Sequence, residues 1–282
     1  MNITKAFKKF EQFENIFKCP ICGLEMQFRD RTSFVCEKNH CFDLSKYGYI
    51  NFSPNQKRTL YTKELFESRR IIFESGFYDI LTENIKQLIN TYSDITSNSN
   101  ALDIGCGEGF FISNIFGDGF LGNTFGMDIV KEAIVMGAKS NHDVKWLVGD
   151  LSKIPLKDET VDILLNIFTP ANYSEFSRIL KDDALLIKVI PSKNYLKELK
   201  YCIKNELKNK DYSNTEVLEC FNNSMTCLER RHLTYEVPAT QNQIENFIKM
   251  TPMMFNLDTS KIDTKNINQI TIDVDVVAGR KN

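Results

Sequence analysis

The chain has 282 residues, 42% hydrophobic and 26% charged, with 21 Phe and 10 Tyr, which supplies a packed domain plus a small appended module and excludes a disordered chain. The net charge of −2 excludes a uniformly basic nucleic-acid binder, yet residues 1–70 hold 13 Lys/Arg against 8 Asp/Glu, whereas residues 71–282 hold 22 against 29. No apolar run approaches the roughly 18–20 residues of a spanning helix, and MNITKAFKKFEQFENIFK is too broken by charge for a secretory leader, so a cytoplasmic protein without a membrane partner is expected.

The first informative segment is CPICGLEMQFRDRTSFVCEKNH, residues 19–40, in which Cys19 and Cys22 form one close pair and Cys36 and His40 another. Two ligands three or four residues apart can meet one ion from a tight turn, so the four predict a closed, structural zinc site, with MQF and SFVC as the strands of a ribbon. Cys41 is adjacent and leaves the identity of the fourth ligand open. The alternative, four buried side chains without a metal, is disfavoured because a module this small seldom has a sufficient core. The other cysteines, Cys106, Cys202, Cys220 and Cys227, are scattered and read as reduced thiols. Lys46, Lys57, Arg58, Arg69 and Arg70 give this front end candidate phosphate contacts, each with solvated surface as the plainer reading.

Residues 60–92 carry apolar side chains at mostly helical spacing, interrupted near Gly76, and predict two helices; TSNSN at 96–100 reads as a linker. From residue 101, short apolar runs alternate with amphipathic ones: ALDIG, FFISNIF, TFGMDI, KEAIVMGAK, VKWLVGD, VDILLNIF, YSEFSRILK, ALLIKVI. That alternation implies an α/β fold with a doubly wound, mostly parallel sheet. Residues 196–232 are expected to be helical, and TYEVP and ITIDVDVVAG to form antiparallel edge strands. The resulting division is 1–52 for the metal module, 53–95 for a helical linker and 96–282 for the main domain.

LDIGCGEG, residues 102–109, sets Gly105, Gly107 and Gly109 at a strand-to-helix turn, where a backbone can approach a ligand closely. Asp128 and Asp150 end the next two strands, and Asp128 is placed to accept from ribose hydroxyls. A dinucleotide would bring a pyrophosphate to this turn, and Glu108 would repel it. Asp103 and Glu108 instead suit a cationic, phosphate-free cofactor such as S-adenosylmethionine, with its sulfonium and ammonium groups. NIFTP, following the fourth strand, should border the reacting methyl, where Phe168 either stacks on a base or caps the core. His142 and His232 lack a partner pattern and are expected to be exposed.

LDIGCGEG, MDI, VGDLSKIPLKDETVDILL and NIFTPANYSEFSRIL together resemble a class I S-adenosylmethionine-dependent methyltransferase. With CPIC…C…H and FDLSKYGYINFSP in front, almost the whole chain is similar to the bacterial 23S ribosomal RNA guanine-N1 methyltransferase family. The resemblance implies a Rossmann-like domain behind an N-terminal zinc module that recognises RNA, with Cys19, Cys22, Cys36 and His40 holding Zn2+. It implies cofactor contacts at Tyr78, at Phe111 and Ile112, and at Tyr195, where the family usually has His, and it allows a homodimer. NIFTPAN is similar to the Gram-positive branch, some of whose members protect ribosomes against macrolides. The reaction implied is attack of guanine N1 on the cofactor methyl, with 23S ribosomal RNA as partner. The residues nominate no general base, so no catalytic residue is assigned. Two readings stand beside this one: a small-molecule methyltransferase whose zinc module only stabilises the fold, and a non-enzymatic RNA-binding protein.

Overall fold

The computed structural model of the protein describes residues 2–54, 61–117, 119–204, 213–255, 257–258 and 262–282. Helix α1 (Ile3–Glu11) leads into a three-stranded antiparallel ribbon, β1 (Met26–Arg29), β2 (Ser33–Cys36) and β3 (Cys41–Asp43), and then into the short strand β4 (Tyr49–Asn51). The two expected linking helices are α2 (Lys63–Glu74) and α3 (Asp79–Tyr92), and Gly76 turns the chain between them at φ +83°. The alternating region supplies β5 (Asn100–Ile104), α4 (Phe110–Ile115), β6 (Asn123–Asp128), α5 (Lys131–Ser140), β7 (Lys145–Val148), β8 (Val161–Ile167), α6 (Tyr173–Ile179) and β9 (Leu180–Pro191). Then follow α7 (Lys197–Cys202), α8 (Thr215–Ser224), β10 (Met225–Pro238), α9 (Gln241–Met250) and β11 (Gln269–Lys281).

The main sheet has the order β10-β11-β9-β8-β5-β6-β7-β4. Every pair from β4 to β9 is parallel, and β11 and β10 close the other edge antiparallel. The chain leaves β5 toward β6 on one side and returns through β8 on the other, so β5 is a switch point with a crevice at its carboxyl end. Central strands bury both faces, which explains their unbroken apolar runs: Ala101 and Leu165 enter one core, Leu102 and Leu164 the other. The expectation of helix across 196–232 is corrected for its last part, because residues 225–232 begin β10, and its stretch 205–212 lies outside the described residues. Strand β10 is an edge strand with one face to solvent, so its polar alternation hides it from an apolar-run search.

The front module is not a separate body. Phe10, Phe17, Phe34, Phe42 and Phe52 share one core with Leu102, Phe125, Leu147 and Leu164 of the sheet. The Phe17 ring lies 5.3 Å from Phe34, 5.8 Å from Phe52 and 6.3 Å from Phe125. Strand β4 extends the main sheet, pairing Tyr49, Ile50 and Asn51 with Trp146, Leu147 and Val148. The Lys18 N–H donates to Pro155 O, and the Lys157 N–H donates to Ile16 O. Among the described residues, no helix is long and apolar enough to cross a membrane.

Because ribbon and sheet share Phe17, Phe17→Ala should lower the stability of the whole chain by about 3–5 kcal/mol in one cooperative denaturant transition. Two resolved transitions, with only the first shifted, would show independent units.

Candidate cofactor cleft and metal centre

The glycine turn connects β5 to α4. Gly105, Gly107 and Gly109 have φ of +72°, +58° and +84°, a region that favours glycine. Protein side chains, rather than open ligand space, crowd two of them. A Cβ on Gly105 would lie 2.4 Å from Thr169 Oγ1, and one on Gly109 would lie 2.1 Å from Trp146. Trp146 is fully buried beneath the turn and donates from Nε1 to Asn141 O at 2.9 Å. Asp128 fixes the turn from the end of β6, accepting from the Gly107 N–H at 2.8 Å and the Val130 N–H at 2.7 Å.

Around this turn are more carboxylates than partners. Asp103 Oδ2 and both Glu108 oxygens are buried without a hydrogen bond, and the nearest cation, Arg69, has its Nε 3.8 Å from Glu108 Oε2. Burial pushes the Asp103 carboxyl up to about 7, against the pull of Arg69 and with Asp128 and Glu108 adding to the rise. Burial likewise raises Glu108 and Asp128. Arg69, a candidate phosphate contact with solvated surface as the plainer reading, lies instead in this cleft, its guanidinium 4.9 Å from the centre of the Phe73 ring. Helix α2 carries it there, a placement that residue order alone does not show. Arg70 points elsewhere, to Ser140 at 2.9 Å, Lys46 is exposed, and Lys57 and Arg58 lie outside the described residues.

The cleft has a volume of about 710 Å³, within the usual range for cofactor-sized ligands. Gly105, Asp128, Asp150 and Phe168 line it, with Ile129 and Leu151 as apolar wall. Asp150 is exposed and accepts from the Ser152 N–H at 2.8 Å. Asp103 and Gly107, in β5 and the glycine turn, do not line this cleft, and neither do Tyr78, Phe111, Ile112 and Tyr195. The last four are packed behind it, with the Tyr78 hydroxyl 2.6 Å from that of Tyr195. Burial raises both phenols, Tyr195 to about 12. Phe168 connects the two regions, its ring 5.9 Å from Tyr78, 6.2 Å from Phe111 and 5.4 Å from Tyr195. Its φ of +55° marks a strained position at the mouth of the site. The unpartnered acid oxygens beside the glycine turn suit the cationic end of S-adenosylmethionine.

In the ribbon, Cys19, Cys22, Cys36 and His40 present ligand atoms that all lie within 4.8 Å of one another. His40 Nδ1 is 3.4 Å from Cys19 Sγ and 3.4 Å from Cys36 Sγ, and Cys22 Sγ is 3.6 Å from Cys36 Sγ. A tetrahedral zinc ion bound at usual lengths sets S···N near roughly 3.5 Å and S···S near roughly 3.8 Å. Three of the six edges of the ligand tetrahedron thus have lengths close to those of a zinc site, and the rest are within 4.8 Å. Cys41 is exposed and outside the group, whose fourth member is His40. His142 and His232 are exposed, as expected, but not without partners: His142 Nδ1 is 3.0 Å from Ala138 O, and His232 lies 3.2 Å from Asp273 and 3.3 Å from Asp275.

Two family models match: a zinc ribbon described as "RlmA, N-terminal" over residues 17–59, and "Methyltransferase domain" over 102–187. The chain is 36% identical to a Bacillus subtilis (strain 168) protein named "Putative 23S rRNA (guanine-N(1)-)-methyltransferase YxjB", over 95% of this chain and 98% of that protein. It is 24% identical to the 23S rRNA (guanine(748)-N(1))-methyltransferase of Streptomyces fradiae, over 91% and 94%. Among solved structures, it resembles a chain in the complex of the Haloferax volcanii Trm112 methyltransferase activator with a methyltransferase. That likeness has TM-score 0.50 and 14% identity, with 79% of this chain and 99% of that one covered, and concerns the fold alone.

The metal geometry predicts that Cys19→Ser leaves substoichiometric zinc by elemental analysis and lowers the melting temperature, whereas Cys41→Ser retains one equivalent. Full zinc in the Cys19 variant would refute the ligand set.

Proposed function

Since the chain belongs to the 23S rRNA (guanine-N1)-methyltransferase family, we propose that it transfers a methyl group from S-adenosylmethionine to N1 of a guanine in a loop of 23S ribosomal RNA. The observation that carries this reading is the joining, in one core, of a zinc ribbon to a cleft lined by Asp128 and Asp150, with the buried, unpartnered oxygens of Asp103 and Glu108 beside its glycine turn. A structural metal tied rigidly to a cofactor site suits a large substrate held at two places. RNA loops also offer the unstacked bases that proteins can read.

When bound, S-adenosylmethionine supplies an electrophilic methyl carbon on a cationic sulfur. Asp103 would face its positive end, the Gly105–Gly107 backbone would lie beside it, and Asp128 would accept from its ribose hydroxyls, with Asp150 further along the wall. Tyr78, Phe111, Ile112 and Tyr195 act in this reading through Phe168, as the support that holds that ring at the cleft mouth. The basic front end supplies long-range attraction for a polyanion. A homodimer, which the family resemblance allows, would be seen as doubled mass in light scattering.

Incubation with labelled S-adenosylmethionine and 23S RNA lacking the modification should yield N1-methylguanosine after nuclease digestion. Label found only in small metabolites would exclude the RNA reading. The raised Asp103 carboxyl adds a pH dependence: its ionised form attracts the cationic donor, so the dissociation constant should fall as pH rises from 6 to 7.5, through the value of about 7. Asp103→Asn should weaken binding and flatten that dependence in calorimetric titrations.

A further inference from the structure

Beyond the strip Phe168-Thr169-Pro170, a second pocket of about 420 Å³ opens at the carboxyl ends of β8 and β9. The strip lines both it and the cofactor cleft, so the two spaces share one wall. Phe168, Pro170 and Tyr173 give the second pocket flat apolar surface suited to a nucleobase, and Glu216 and Lys188 give it polar groups. Lys188 is unusual. It lies in the apolar run ALLIKVI, is 3% exposed, and makes no ion pair among the described residues.

The Lys188 surroundings suit an amine better than an ammonium. Nζ donates to Asn166 Oδ1 and, at 3.3 Å, to the Thr169 carbonyl. Asn166 donates from Nδ2 to Pro170 O at 3.0 Å, which turns its oxygen toward Nζ. Two acceptors occupy both hydrogens of an –NH2 group and leave its lone pair over; an –NH3+ group would have a third hydrogen without a partner. Burial accordingly lowers this lysine to about 8. The titratable groups in the pocket wall are Tyr173, Glu216 and Cys220. On the adjoining strand β11, Asp275 is engaged by Arg230 at 2.8 Å and Ser192 at 2.7 Å.

Resting on the reading of the chain as a guanine-N1 methyltransferase, we propose that this pocket receives the target guanine and that the Lys188 amine accepts its N1 proton. The N1–H bond breaks and an Nζ–H bond forms, leaving negative charge spread over N1 and O6 beside the new ammonium. The N1 pair then bonds to the methyl carbon as the carbon–sulfur bond breaks and its electrons return to sulfur. The ammonium afterwards releases its proton to water. A lysine placed in this way acts as a general base with a pKa near working pH, a role typically worth about 10²–10⁴-fold in rate.

The test uses the full-length protein with zinc bound. Wild-type kcat should rise with pH, with slope one, and level off above about 8. Lys188→Met should lower kcat about 100-fold, with S-adenosylmethionine affinity within about threefold. Lys188→Arg, a permanent cation, should be equally impaired. Asn166→Asp sets a carboxylate beside Nζ and should move the rising limb to higher pH. Carbon-13 NMR of ε-labelled lysines, with the Lys188 signal identified by its loss in the Met or Arg variant, should give a midpoint near 8. A midpoint near the ordinary value of about 10.4, an active Arg variant, or a Met variant within about fivefold of wild type would overturn the proposal. If Lys188→Met fails to fold, the NMR midpoint and the Asn166→Asp profile decide. Absence of N1-methylguanosine with the wild type would instead defeat the functional reading itself, while the NMR midpoint would still report on the lysine.

Discussion

Three carboxylates gathered around one guanidinium at the end of a parallel sheet are the constraint on which the site depends. Asp103, Glu108 and Asp128 come from β5, the glycine turn and β6, and Arg69 arrives from α2. Burying so many like charges costs free energy unless they are paired or protonated, and the chain pairs them incompletely. The deficit is of one sign and is concentrated at the switch point of the sheet, where a ligand can supply the missing positive charge. Hydrogen bonds from Gly107 and Val130 to Asp128 keep the turn in place, so the cleft is formed by the protein itself.

The second organising element is the aromatic core under the zinc ribbon. In an open α/β sheet, helices ordinarily cover both faces. Here part of one face is covered by α1 and the ribbon, whose phenylalanines interlock with Phe125 and Phe52. The zinc therefore fixes the ribbon's own fold and, through Phe17 and Phe34, the packing of the sheet that carries Asp128. Packed rings connect the ribbon to the sheet that carries Asp128.

Local chemistry was legible in the sequence. The ligand pairs of the ribbon, the glycine turn and the acids at strand ends are all set by spacings of a few residues. Long-range placement was less so. Arg69 sits among basic front-end residues and reads as RNA-facing until α2 is seen crossing the cleft. Met225–Arg231 reads as a helix continuation because an edge strand need not be apolar. Tyr78, Phe111, Ile112 and Tyr195, which the family resemblance implies as cofactor contacts, lie outside the cleft lining, a placement that depends on how α3, α4 and the turn after β9 meet. Lys188 carries a signal within the run ALLIKVI, since a lone cation in an otherwise apolar strand requires a reason.

Strand β4 has a further consequence. By pairing with Trp146–Val148 it seals one margin of the eight-stranded sheet with a piece of the ribbon's own chain. Detaching the ribbon would bare a row of backbone amides on β7 together with the oily underside of Phe125, a combination that invites strands from other molecules. The thiolate clasp thus also guards solubility, and scarcity of its ion would be felt as clumping of the whole polypeptide before any question of which nucleotide it selects.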